Sequence, residues 1–208
     1  MKRALPMLFA LPPCLLLAAC GEGAAPVAPS VREPPAQQSD VPDNLGPAHE
    51  HIARSEGAGL GDELAQLRRV TARFHRLEEA TAAGYELGWV NGSGVRIITG
   101  CVAHPTAGAM GYHYFNQALV DDLVVDPLAP EVLVYESTPD GGRRLVAVEW
   151  VVPGPNTNPP GVTEAPSVLG MEMHILVPAV GFWLKHAWIW KHNPAGMFAD
   201  FNPEVTCP

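Results

Sequence analysis

The sequence predicts an α+β domain: one long N-terminal amphipathic helix packed on a curved, mostly antiparallel sheet of five to six strands. Three observations lead there. Apolar residues recur at three- and four-residue intervals over 62–83. Short segments rich in β-branched and aromatic residues follow, separated by Gly, Pro, Asn and Asp turns. No repeat or heptad pattern interrupts this order, which favours one core with helix and strands segregated along the chain.

In the helical stretch Leu64, Leu67, Val70, Phe74, Leu77 and Ala80 make the apolar stripe, and Glu63, Arg69, Arg73, Arg76 and Glu79 fill the other positions. Gly61-Asp62 suits its start and Gly84 its end. Asn91-Gly92-Ser93-Gly94 is a turn before a short strand at 95–101, and residues 112–115 read as another strand followed by a connector over 116–125. The best strand pair is 131–137 with 144–152, joined through Pro139-Asp140-Gly141-Gly142. In its second member Val146, Val148, Trp150 and Val152 share one face, and Leu145, Ala147, Glu149 and Val151 the other. Both faces are largely apolar, so the sheet is expected to be covered on both sides or curved around a pocket. Residues 153–167 hold five prolines and read as a long irregular loop able to cover such a pocket. Residues 171–177 and 184–190 read as two more strands around a turn at 178–181. A single globular α+β domain is thus expected over 60–208, long enough to bury ~68–70% of its unfolded surface.

The segment before it has another character. Lys2 and Arg3 precede an uncharged run over 4–19 broken by Pro6, Pro12 and Pro13. At ~1.5 Å per residue this run is too short for a ~30 Å hydrocarbon core. Residues 1–19 therefore read as a signal peptide. Leu17-Ala18-Ala19-Cys20 resembles the lipobox of bacterial lipoproteins, in which the cysteine becomes the acylated N-terminus. That resemblance implies a chain anchored to the membrane by lipid on Cys20. Gly21 stands where inner-membrane lipoproteins carry aspartate, which implies the outer membrane of the cell envelope, facing the periplasm. Residues 20–59 are rich in Pro, Ala and Gly and read as a tether reaching about 35 Å as a flexible coil. His49-Glu50-His51 lies within it as a weak metal ligand set at most.

Loss of Lys2 and Arg3 with the leader takes the formal charge from −9 to −11, which disfavours nucleic acid as a partner. No Walker loop, G-x-G-x-x-G, C-x-x-C, H-E-x-x-H or G-x-S-x-G occurs. Two cysteines remain in the domain, Cys101 and Cys207, and an oxidising compartment suggests that they pair. A free, metal-binding or catalytic Cys101 is the competing reading.

The candidate chemistry lies with histidine. Of His75, His104, His113, His174, His186 and His192, three (His113, His174 and His186) fall inside expected strands, and His186 shares a strand face with Trp188 and Trp190. Glu149 stands among Leu145, Ala147 and Val151, where a buried carboxylate needs a partner, a proton or a metal. His113, His174, His186 and Glu149 are therefore the candidate ligands of a transition metal. Met110, Met171 and Met173 near His113 and His174 extend the choice from zinc to copper. Three alternatives stay open. The methionines and histidines fill the core, Glu149 and a histidine form a metal-free acid/base pair in an enzyme, or the domain is an envelope interaction module without a pocket. Ser93, the acidic group Asp121, Asp122 and Asp126, and the aromatics Phe182, Trp183, Trp188, Trp190, Phe198 and Phe201 are better explained by turns, a solvated loop and core packing.

Several longer motifs complete the picture. Gly108-Ala109-Met110-Gly111-Tyr112-His113-Tyr114, Pro130-Glu131-Val132-Leu133-Val134-Tyr135-Glu136, and His186-Ala187-Trp188-Ile189-Trp190 with Asn193-Pro194-Ala195-Gly196-Met197-Phe198 are the clearest. Over about 65–207 the chain resembles a family of exported bacterial lipoproteins to which no activity is assigned. The resemblance implies one domain in the cell envelope and leaves mechanism open; it is the histidines and Glu149 that lead to the expectation of a small ligand or a metal bound in a pocket between helix and sheet.

The anchor is checked by mass spectrometry of membrane-extracted protein. The expected mature chain begins at Cys20 and carries acyl groups; one that begins beyond Cys20 without lipid rejects it.

Overall fold

The computed structural model describes residues 49–208, with side chains from Gly59 onward. The signal peptide, Cys20 and the tether as far as residue 48 lie outside the described residues, as do the side chains of His49-Glu50-His51. The first elements are α1 (His49–Thr71), a 3-10 turn (Ala72–His75) and α2 (Leu77–Ala82). Then come β1 (Tyr85–Leu87), β2 (Trp89–Val90), β3 (Arg96–Ile97), β4 (Cys101–His104), β5 (Gly108–Asn116) and α3 (Gln117–Asp121). The rest are β6 (Val132–Ser137), β7 (Arg143–Pro153), β8 (Ser167–Val168), β9 (Met171–Glu172), β10 (His174–Ile175) and β11 (Phe182–Ala187).

The helix expected over 62–83 is broken, and α1 reaches back to His49, into the stretch read as tether. The break has a local cause. Thr71 is fully buried, and its hydroxyl donates to the Leu67 carbonyl at 2.7 Å, a back-bond that bends helices. Three residues on, the Tyr135 hydroxyl donates to the Phe74 carbonyl at 2.7 Å, taking the acceptor that a continuous helix would offer to Glu78. Arg76 is extended there (φ −91°, ψ 115°), and the chain restarts as α2. Leu64, Leu67, Phe74 and Ala80 still reach the core, but Val70, placed by the 3.6-residue pattern on the apolar stripe, is 41% exposed.

The strands form an open, entirely antiparallel seven-stranded sheet of order β1-β5-β6-β7-β11-β10, with β4 also paired to β5. Two further two-stranded ribbons, β2-β3 and β8-β9, lie apart from it. The extra sheet strands relative to expectation arise because β5 starts at Gly108 and is long enough to pair with β4 at one end and β1 at the other. The strand expected at 95–101 divides into β3 and β4, and the one expected at 171–177 into β9 and β10.

Both faces of the sheet are covered, as the double apolar pattern of β7 requires. Helical residues pack with Tyr135, Val148, Trp150 and Val152 on one face, while Phe115, Val134, Ala147, Val151 and Leu184 form a second core on the other. The alternation reverses at a bulge. Val134 pairs with Ala147 but Tyr135 with Leu145, so Val146 is the inserted residue and Leu145 joins the helix-side core instead of the Glu149 face.

Cys101 and Cys207 form a disulfide that ties the C-terminal segment to the start of β4. The same segment pairs with β5: Ala109 and Asn202 exchange backbone hydrogen bonds of 3.1 and 3.0 Å. Gly108 (φ +91°) must be glycine there, because a Cβ would sit 2.1 Å from the Asn202 carbonyl oxygen. Paired replacement Cys101→Ala/Cys207→Ala is expected to lower stability by about 2–5 kcal/mol, given the 106-residue separation. Urea unfolding of oxidised wild type against the double variant measures it.

Candidate functional site

Three strands of the face away from the helices supply a buried cluster: His113 from β5, Glu149 from β7 and His186 from β11. Glu149 and His186 are directly opposed in the β7-β11 register, while Glu149 faces Val132 and His113 faces Val134 on β6. The Glu149 carboxyl therefore meets one imidazole on its neighbouring strand and reaches diagonally across β6 for the other. Its oxygens lie 3.3 Å from His186 Nδ1 (Oε1) and 3.5 Å from His113 Nε2 (Oε2). One ligand atom from each of the three residues falls within 4.8 Å of the others. The three side chains are 3%, 4% and 0% exposed for Glu149, His113 and His186. Trp188 stacks beside His186 (ring centroids 6.1 Å, 15°), as their shared face predicted. Trp190 instead turns to the helices, its indole N–H donating to the Thr71 hydroxyl at 3.3 Å.

Burial decides the charge state. It pushes Glu149 well above the ordinary carboxylate range, helped by the negative charges of Asp200 and Glu131. It also pushes His113 down to about 4, against a weak pull from the Gly111 backbone that is too poorly placed to bond Nδ1. His186 is driven well below its usual value by burial and then by His113, His174 and Lys185. Burial therefore disfavours charge on all three groups. His113 Nδ1 and both ring nitrogens of His186 are nevertheless buried without a hydrogen-bond partner, a costly condition that an ion seated against Glu149 would relieve at His186 Nδ1, while His113 faces Glu149 through its other nitrogen, Nε2.

The structure sets the fourth expected residue apart. His174, on β10 and 41% exposed, hydrogen-bonds through Nε2 to Asp200 Oδ2 at 3.1 Å. Asp200 in turn places its other oxygen, also buried and unpartnered, 4.0 Å from His186 Nδ1. Asp200 was not legible in the sequence because it lies in an irregular segment with no periodicity. Its only signal is proximity to Cys207, whose disulfide carries that segment back to the sheet. Glu131 was also missed. It lies just before β6, with Oε2 accepting the Val151 N–H at 3.0 Å and Oε1 unpartnered, and burial raises it to about 8.

The methionines expected beside the histidines part company. Met110 shares a cavity with His113 and Glu149, whereas Met173 is buried in the helix-side core and Met197 is exposed. That cavity, about 520 Å³, is walled by Val102, Phe115, Val151, Phe182, Leu184 and Phe201 among others, and His104 also lines it. It corrects two expectations. It lies on the sheet face opposite the helices, because the sheet's helix side is filled by Trp150, Tyr135 and Leu67. The proline-rich loop does not cover it: residues 176–180 and 98–104 do, while Val162 of that loop accepts the Trp183 indole N–H at 3.1 Å. Asp122 and Asp126 accept backbone N–H groups two residues on (2.8 Å each), and Asn91 does the same for Ser93 (3.0 Å), which is turn chemistry as expected.

Fold and site together define a class: an α+β domain with an open antiparallel sheet whose helix-free face carries a His-Glu-His cluster beside an apolar cavity. No family model, no curated protein and no solved structure matches the chain.

Glu131 yields a test of the burial argument. With its folded pKa near 8 and an unfolded value near 4.5, its contribution is complete below about pH 4.5 and is lost as pH rises through 8. Wild type is therefore expected to lose on the order of a few kcal/mol more stability than Glu131→Gln between pH 5 and 9. Urea midpoints of the two proteins across that range read the difference.

Proposed function

We propose that this is a lipid-anchored cell-envelope protein that binds a transition metal, zinc or copper, through His113, Glu149 and His186 at the wall of a small-ligand cavity. One observation carries the metal reading: one ligand atom from each of three buried residues lies within 4.8 Å of the others, and His186 Nδ1, which faces Glu149, has no hydrogen-bond partner. Two imidazoles and a carboxylate are a donor set that zinc and copper both accept, at ~2.0–2.2 Å for zinc. Three protein ligands leave a position free, and the cavity borders His113 and Glu149. Binding must displace a proton from Glu149, so affinity rises with pH. Asp200 acts from behind, tying His174 to the His186 side of the cluster in the manner of a carboxylate that orients a ligand. The lipid anchor and the envelope location rest on the Lys2 to Cys20 pattern.

A metal-free enzyme is the second reading. It takes Glu149 as base and a histidine as acid, and the buried contacts of Glu149 with His186 (3.3 Å) and His113 (3.5 Å) support the pairing, while burial raises the carboxyl and lowers the imidazoles, which favours the reverse assignment. An interaction module without a pocket would need these residues to be remote from any cavity, and two of them line one.

Calorimetric titration of untagged, chelator-stripped protein with Zn²⁺ and with Cu²⁺ separates the readings. The expected result is one site per chain and a raised melting temperature. His186→Ala and Glu149→Gln should abolish binding, and His174→Ala should weaken it by about 10–100-fold. No binding and no thermal shift with either ion rejects the metal site.

A further inference from the structure

The cavity has a polarity gradient that points to the kind of molecule it takes. Its closed end carries His113 and Glu149, both buried. The other walls are mostly aliphatic or aromatic, with Met110, Phe115, Val151 and Leu184 buried and Leu176 and Val180 half-buried, and the exposed His104 is the one further polar side chain. At the mouth Val177 is 47% exposed, so apolar surface continues from solvent to the floor. Among the described residues no lysine or arginine lines the space, so an anionic head would find no such counter-charge there. At ~30 Å³ per water-sized group, about 520 Å³ has room for roughly fifteen such groups, enough for one short chain and too little for a two-tailed lipid.

We propose that the cavity binds a small single-tailed amphiphile whose head bears no negative charge and hydrogen-bonds to an imidazole and a carboxyl, such as a medium-chain alcohol. The tail lies against Phe115, Val151, Leu184 and Val180, and the head meets His113 and Glu149. It shares the floor residues His113 and Glu149 with the metal reading and goes beyond it in the tail, whose binding depends on the cavity walls and not on His186. The mouth offers a way in. Its outer wall includes Phe201, held by the disulfide-tied C-terminal segment, and the facing wall is the turn closed by Val180 and Gly181 N–H groups on the Val177 carbonyl at 2.9 and 3.0 Å.

The test uses the mature chain with Cys20→Ser, which keeps tether and domain free of micelles, and N-phenyl-1-naphthylamine as the fluorescent probe. The expected result is saturable binding at one site per chain, displaced by 1-decanol at least tenfold more effectively than by decanoate. Val180→Trp and Leu176→Trp, at half-buried positions of the turn, should each weaken probe binding at least tenfold while leaving Zn²⁺ titration unchanged. Absence of saturable probe binding, binding undiminished in both tryptophan variants, or equal displacement by decanoate overturns the proposal. Loss of zinc binding in wild type with probe binding intact would count against the metal reading alone.

Discussion

The arrangement depends on one strand having to be apolar on both sides. β7 lies in the sheet between β6 and β11 and is buried from Leu145 to Pro153, so whichever way a side chain points it leaves water. Helices cover one face and loops with the C-terminal segment the other. A carboxyl on such a strand has no route to solvent, and Glu149 is the residue on which that constraint falls. Its neighbours across the sheet are fixed by register, not by side-chain choice, which is why His186 directly and His113 diagonally become its partners.

The sequence displays this constraint in part. Alternation in 144–152 identified a strand covered on both faces, and the positions of His113, His186 and Glu149 inside strands identified groups forced inward. Which strands lie side by side was not legible, and that order decides which of those groups meet. His174 was grouped with the others on the same strand argument, yet β10 is the edge of the sheet and its imidazole keeps partial contact with water. Local pattern also failed where long-range hydrogen bonds override it. Tyr135 and Trp190 reach the backbone and side chain of the helical segment from 61 and 119 residues away, and the break at Arg76 follows from contacts no window of sequence contains. The bulge at Val146 is a further case: nothing in Arg144-Leu145-Val146-Ala147 marks one residue as surplus, and the count is set by the facing strand.

Energetically the two faces are unlike. The helix side buries Trp150, Tyr135 and Leu67 with their polar atoms satisfied, the Trp150 indole N–H by the Asp126 carbonyl and the Tyr135 hydroxyl by that of Phe74. The other side leaves ring nitrogens of two histidines and a carboxylate oxygen without partners. Stability is concentrated on the first face and given up on the second, the usual division between scaffold and binding surface.

The bond between Cys101 and Cys207 has a consequence beyond holding the chain together. The segment that it closes carries Asp200 and Phe201, one the neighbour of His186 and the other a panel of the cavity. The Ala109–Asn202 backbone pair, one residue beyond Phe201, fastens the same stretch to β5. The rear carboxylate and that panel thus hang from a double mooring, one covalent and one hydrogen-bonded.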